Sequence, residues 1–179
     1  MKQLIFLFFL ITNITQAQQF LTQTGYVNFL SKGPLSDFNG ESEQLHGLID
    51  AEKNMLDFYI DLNTLDTGIG LRDKHMRDNY LETEKFPFAE FSGKMSPFPN
   101  LVLGISNTVT ASGKFKIHGI ERQIVVKGTI IKNTKGEVEL IAAFDILLSD
   151  YDIPLPKLVF YELAEKQEVT LRATLKPKK

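Results

Sequence analysis

Apolar and polar residues alternate with a period of two through most of this chain, which limits it to strands with one buried and one wet face. In NMLDFYIDL, Leu56, Phe58, Ile60 and Leu62 fall on one side and Asp57, Tyr59 and Asp61 on the other. TVTASGKFKIHG sets Val109, Ala111, Gly113, Phe115 and Ile117 against Thr110, Ser112, Lys114 and Lys116. EVTLRATLK does the same with Val169, Leu171, Ala173 and Leu175. YVNFLSKG, EQLHGLIDAE, FAEFSGKM, RQIVVKGTIIK and EVELIAAFDILL complete a set of eight expected strands. Asn39-Gly40, His118-Gly119 and NTKGE carry the residue types of hairpin connections. Strands linked in this way form an antiparallel sheet that closes or folds on itself, so the expected class is all-β. QIVVKGTII and LIAAFDILL are apolar in both phases, which predicts that part of the outer surface is covered as well.

Two regions break the pattern. Residues 67–83, TGIGLRDKHMRDNYLET, predict a short helix at about 70–82 that ends before KFP. Leu71 and His75, and likewise Met76 and Tyr80, stand four apart and stack along its surface. The late segment YDIPLPKLVFYELAEK is a crossover without a clear period. Pro97, Pro99, Pro154 and Pro156 mark loops, since proline cannot serve a central strand.

The N-terminus reads as a secretory signal: one lysine, an apolar run from Leu4 to Ile11, and small residues at Thr15 and Ala17. The run is shorter than the roughly 20 residues of a membrane span. Cleavage near Ala17 divides the chain into a signal peptide, residues 1–17, and one domain, residues 18–179. The chain has no cysteine, so it has neither disulfides nor a lipoprotein anchor and must be held by packing alone. No Asn-x-Ser/Thr sequon follows the signal, consistent with a bacterial periplasmic or secreted protein. A net charge of −2 and a pI near 5.9, with both signs interspersed, argue against nucleic acid as a partner.

Catalytic signatures are missing: there is no G-x-S-x-G, no H-E-x-x-H and no phosphate-binding loop. His46, His75 and His118 sit in separate segments without metal-ligand spacing, so neither a metal nor a cofactor is expected. His118 reads as a turn residue and His46 as a polar strand position. Asp73, Asp78, Glu82 and Glu84 alternate with Arg72, Lys74, Arg77 and Lys85, which suits a solvated, self-paired helix face better than acid–base chemistry. His75, among Leu71, Met76 and Tyr80, is the one member of this group placed for a ligand contact. Phenylalanine carries more information. Fourteen are present and no tryptophan, and Phe29, Phe58, Phe91, Phe115 and Phe144 lie on the apolar phase of different strands. They make either a packed core or the wall of an apolar tunnel, because an eight-stranded barrel can fill its interior or hold one small ligand. Gly93, Gly113 and Gly128 within strands mark barrel bends or room beside a ligand.

TLDTGIGLRDKHMRDNYLETEKFPFAEF resembles the signature segment of the YceI-like family, with Arg72, Asp73, His75, Met76, Arg77, Phe86, Pro87 and Phe91 matching position by position. ASGKFKIHGIERQIVVKGTI is similar to its second signature through Gly113, Phe115, Ile117, His118, Gly119 and Ile120. Many members open with an Ala-His-Ser segment; the corresponding region here has Ser31 and no histidine. The resemblance runs from about Val27 to Leu175 and implies an extended antiparallel eight-stranded β-barrel of lipocalin-like shape with an apolar cavity. By motif and phase it makes Phe58, Ile60, Phe91, Phe115 and Ile117 candidate cavity lining, alongside Phe29 and Phe144. Met76, Tyr80 and Leu81 form an apolar lid beneath the helix, and the ligand's polar end lies near His75 and Arg77. The expected function is non-enzymatic: a periplasmic carrier of a long-chain lipid or isoprenoid, for which transient membrane contact and a homodimer stay open. The alternative is a structural or protein-interaction module with a side-chain-filled barrel.

Overall fold

The computed structural model describes residues 18–33, 36–155 and 163–178. The segment 1–17, expected to be a signal peptide, and part of the late crossover, 156–162, lie outside the described residues. Eight strands run in chain order around a closed barrel: β1 (Gln19–Lys32), β2 (Asp37–Asp50), β3 (Met55–Asp61), β4 (Phe88–Ser96), β5 (Ser106–Ile117), β6 (Ile120–Lys132), β7 (Val138–Leu147) and β8 (Lys166–Pro177). Every neighbour is antiparallel, and β8 returns to pair with β1. Closure satisfies the backbone groups that an open sheet would leave at its edges.

The alternation read from sequence sets the inward phase. Leu56, Phe58 and Ile60 on β3, Val109, Ala111, Phe115 and Ile117 on β5, and Ala173 and Leu175 on β8 are all buried. β1 departs from a simple zigzag, with register shifts between Thr22 and Gly25 and between Gly25 and Val27. Such bulges bend a long strand, which lets it pair on both sides of a curved wall.

The two ends of the barrel differ. At the lower end, Phe20, Ile130, Val138 and Leu175 are at most 1% exposed and plug the interior. Phe98, from the β4–β5 loop, stacks on Phe20 at 6.0 Å, and its backbone N–H donates to Asn54 Oδ1 at 2.6 Å. The upper end carries the β1–β2 connection, the long 62–87 excursion, the His118-Gly119 turn and the β7–β8 connection.

Three expectations are corrected. Asn39-Gly40 is not a turn: both residues lie inside β2, and the connection runs through 33–36. Gly40 is in the strand because the Phe29 ring occupies the space of its missing Cβ, which would stand 2.4 Å from Phe29 Cε1. The outer apolar phase of β6 and β7 is also not covered, for Val125 and Ile141 are 60% and 51% exposed. Their partners across the ladder are Ser112 and Arg172, so solvated side chains surround them instead of a second layer. Lastly, Gly93 and Gly113 leave no space beside a ligand. They pair directly across β4 and β5, and a Cβ on either would meet the partner strand's backbone at 2.7 Å or less.

The wall opens in two places: β2 pairs with β3 only over His46–Asp50, its upper part meeting the excursion at Asp66 instead, and β6 parts from β7. β6 pairs with β5 along its whole length but meets β7 only from Lys127 onward, while Phe144–Leu147 pair with β8 alone. A 3₁₀ turn, Leu148–Tyr151, wedges into this gap. Tyr151 packs edge-on against Phe115 at 5.6 Å, and Phe115 likewise against Phe144 at 5.4 Å. Arg122, in register with inward Phe115, uses the opening to donate from Nε to the Asp150 carbonyl at 3.0 Å. His118 does more than turn the chain: Nδ1 lies 2.9 Å from the Tyr151 carbonyl and Nε2 3.1 Å from Glu82. One ring thus joins the β5–β6 turn, the wedge and the end of the helix segment.

Lys85 first and His118 second hold the Glu82 carboxyl below the usual carboxylate range. The folded state therefore binds this proton less tightly than the unfolded chain. The stabilisation is present above the ordinary value of 4.5 and is lost as pH falls through the lowered one. Glu82→Gln should accordingly lose less of its urea midpoint than wild type does between about pH 6 and about pH 3.

Candidate ligand cavity

Above the lower plug the barrel is not filled. A cavity of about 250 Å³ extends from Ile49, Met95 and Val109 up to the helix and the β7–β8 connection. That is just under the ~300 Å³ at which small-molecule sites usually begin, so it suits a single chain rather than a bulky ring system.

Cross-strand register builds the wall. Phe58 on β3 pairs with Phe91 on β4, and Phe91 with Phe115 on β5, so their rings form one inward row. Phe144 on β7 pairs with Val169 on β8, and Val169 with Phe29 on β1, making a second row. Aromatic and β-branched pairs of this kind are the favourable contacts of a sheet face. Phe58 lies over Gly47 as Phe29 lies over Gly40, each ring covering a strand position that has no side chain.

The roof comes from the excursion after β3. Asp61 Oδ1 accepts from the Asn63 backbone N–H and opens a short 3₁₀ turn, burying Leu62 and Leu65. Glu41 and Asp66 exchange backbone hydrogen bonds of 2.9 Å, which ties the excursion to β2. Helix α1 (Gly70–His75) follows and runs into a π turn, Met76–Tyr80, closed by the Leu81 N–H donating to the Met76 carbonyl at 2.8 Å. The wider turn swings Met76 and Leu81 together onto the cavity, where both are buried.

The helix charges divide more unevenly than their spacing suggested. Lys74 and Asp78 form the expected exposed i,i+4 pair at 2.6 Å. Asp73, by contrast, is buried, and its Oδ1 accepts from the Thr67 N–H at 2.9 Å and the Thr67 hydroxyl at 2.6 Å. It latches the strand-to-helix turn. Leu71 is 57% exposed and does not line the cavity as His75 does.

Of the residues chosen from sequence, Phe29, Phe58, Ile60, Phe91, Phe115, Ile117 and Phe144 line this cavity in the wall and His75, Met76, Tyr80 and Leu81 in the roof. Arg77 does not line it; Arg72 does, with its guanidinium 4.6 Å from the centre of the Phe38 ring. Five residues separate the two arginines, which puts them on different faces, and it is Arg72 that lies over Phe38 at the start of β2. Ser36 and His75 also contribute to this polar rim. His46 lies apart, its ring stacked on Tyr59 at 4.8 Å on the side of β3 opposite Phe58. Gln167 was missed. It stands two residues before Val169, in the inward phase, but a polar residue there reads as the end of a strand.

The YceI-like domain profile matches residues 15–176. The chain belongs to the YceI-like family. Among solved structures it is similar to a polyisoprenoid binding domain from Saccharophagus degradans implicated in plant cell wall breakdown, at 20% identity and a TM-score of 0.77, covering 91% of this chain and 100% of that one. Burkholderia cenocepacia BcnA follows at 16% identity and 0.70, over 85% of this chain and 96% of that one. The Campylobacter jejuni YCEI protein is 18% identical with a TM-score of 0.59, over 80% and 86% of the two chains. Likeness at these identities establishes the shared barrel. No curated protein sequence matches the chain significantly.

Removing the Asp73 latch should loosen the roof of this YceI-like barrel without touching its strands. Asp73→Ala leaves the Thr67 N–H and hydroxyl without their acceptor, a loss of about 1–3 kcal/mol in urea unfolding. Hydrogen exchange should rise across residues 67–81 while strand amides stay protected.

Proposed function

We propose that this YceI-like protein is a periplasmic binding or carrier protein for a long-chain amphiphile, a polyisoprenoid or fatty lipid, and performs no chemistry of its own. The observation that carries the proposal is the cavity itself: one end plugged by side chains, an aromatic wall, and a rim holding Arg72, His75 and Ser36. An apolar chain gains about 0.8 kcal/mol for each methylene it buries in such a space. Its polar end then stays at the rim, where Arg72 and His75 supply charge and hydrogen bonds. The polyisoprenoid binding domain of Saccharophagus degradans, which shares the fold, supports the same ligand class. A filled-barrel interaction module would have needed the upper half of the interior packed as the lower half is.

Protein purified gently from its native host should carry lipid, seen as a discrete mass increment by native mass spectrometry and lost on organic extraction. Repeated recovery of bare protein that also fails to take up any long-chain probe would overturn the proposal. Ala142→Phe offers a second check. Ala142 is buried in the wall beside Gly128, so the larger ring projects into the cavity. Binding of a fluorescent fatty probe should fall at least about tenfold, which corresponds to about 1.4 kcal/mol, or two buried methylenes. The circular dichroism spectrum should stay that of the parent barrel.

A further inference from the structure

Among the described residues, one buried side-chain polar atom has no hydrogen-bond partner: Oε1 of Gln167. Gln167 is 4% exposed and lines the cavity. It pairs with Ile146 on β7 and with Ser31 on β1, both buried, so it stands on the inward face of the upper wall.

The amide is held in one orientation. Nε2 donates to the Ala164 carbonyl at 2.5 Å and to Ser31 Oγ at 3.2 Å, using both of its hydrogens. Ser31 Oγ also accepts the Ala164 N–H at 2.9 Å. Flipping the amide would set two oxygens, Oε1 and the Ala164 carbonyl, against each other. The network therefore fixes which end of the amide is Nε2 and leaves Oε1 as the surplus acceptor. Buried acceptors are normally satisfied, and one left over in a ligand-sized cavity calls for a donor from outside the chain.

We infer that Gln167 is a specificity-determining residue that selects amphiphiles ending in a neutral hydrogen-bond donor, of which a long-chain alcohol is the simplest. The inference rests on the carrier function proposed above and narrows its ligand class. A hydroxyl donates to Oε1; an ether, ester or hydrocarbon has no hydrogen to give, and an ionised carboxylate sets negative charge against it. The position fits this role. From Gln167 the cavity leads down past the phenylalanine rows to Ile49, Met95 and Val109 above the plug, so a chain runs downward while its head group stays just inside the rim.

Farnesol, its methyl ether and the parent hydrocarbon farnesene test this by displacement of a fluorescent fatty probe from the full barrel at neutral pH. Farnesol should bind about tenfold tighter than its methyl ether. In Gln167→Met, of similar length but without the acceptor, the two should bind alike, at the level of the ether in wild type. Equal affinities in the wild-type protein would overturn the inference while leaving the carrier function standing, since water would then satisfy Oε1 whichever ligand is bound. Failure of all three compounds to bind would overturn both. The wild-type comparison decides even if the variant folds poorly, because it needs no substitution.

Discussion

Each strand hydrogen-bonds to two neighbours because β8 returns to β1, and this circular ladder fixes the parity of every side chain in the barrel. A slip of one residue at any pairing would turn a whole strand's apolar set outward, so the register is strongly constrained wherever the inside is dry. The in-register phenylalanine rows, the pairing of Gly93 with Gly113 and the placement of Gln167 beside Ser31 are consequences of that parity. The ladder yields at the bulges in β1, which bend a strand, at the seam between β6 and β7, which admits the Tyr151 wedge, and along the upper part of β2, where Glu41 bonds Asp66 of the excursion rather than β3.

The interior is divided unequally. Phe20, Ile130, Val138 and Leu175 close the lower end and are almost wholly buried there. The upper half keeps its aromatic side chains against the wall, and a separate excursion of chain closes it over. That excursion is sewn on by polar contacts, Asp73 to Thr67, Glu41 to Asp66 and Glu82 to His118. Such contacts open more readily than a packed ladder, which places the more easily displaced part of the molecule over the cavity mouth.

Much of this could be read along the chain. The strand phases of β3, β5 and β8 follow from alternation alone, and the paired signatures around Arg72–Phe91 and Gly113–Ile120 place the chain in its family. The local rules failed where a residue's neighbours come from distant strands. Asn39-Gly40 has the composition of a turn, but the Phe29 ring holds it in β2. Asp73 has the spacing of a surface charge, yet Thr67 draws it inward. Gln167 has the polarity of an exterior position, and only Ser31 and Ala164 make it an interior one.

Period by itself determined that this chain makes antiparallel strands and which faces of β3, β5 and β8 turn inward, because those properties depend on neighbours two residues apart. The barrel was implied by the family motifs. The tertiary structure alone decided that one end is plugged and the other hollow. It alone decided that Arg72 rather than Arg77 meets the mouth and that one amide oxygen is left without a partner. Cavity volume is the small difference between the space a closed sheet encloses and the side chains that enter it. An unsatisfied acceptor is likewise what remains after every nearby donor has been assigned. Both are sums over residues far apart in the chain, and no local pattern records them.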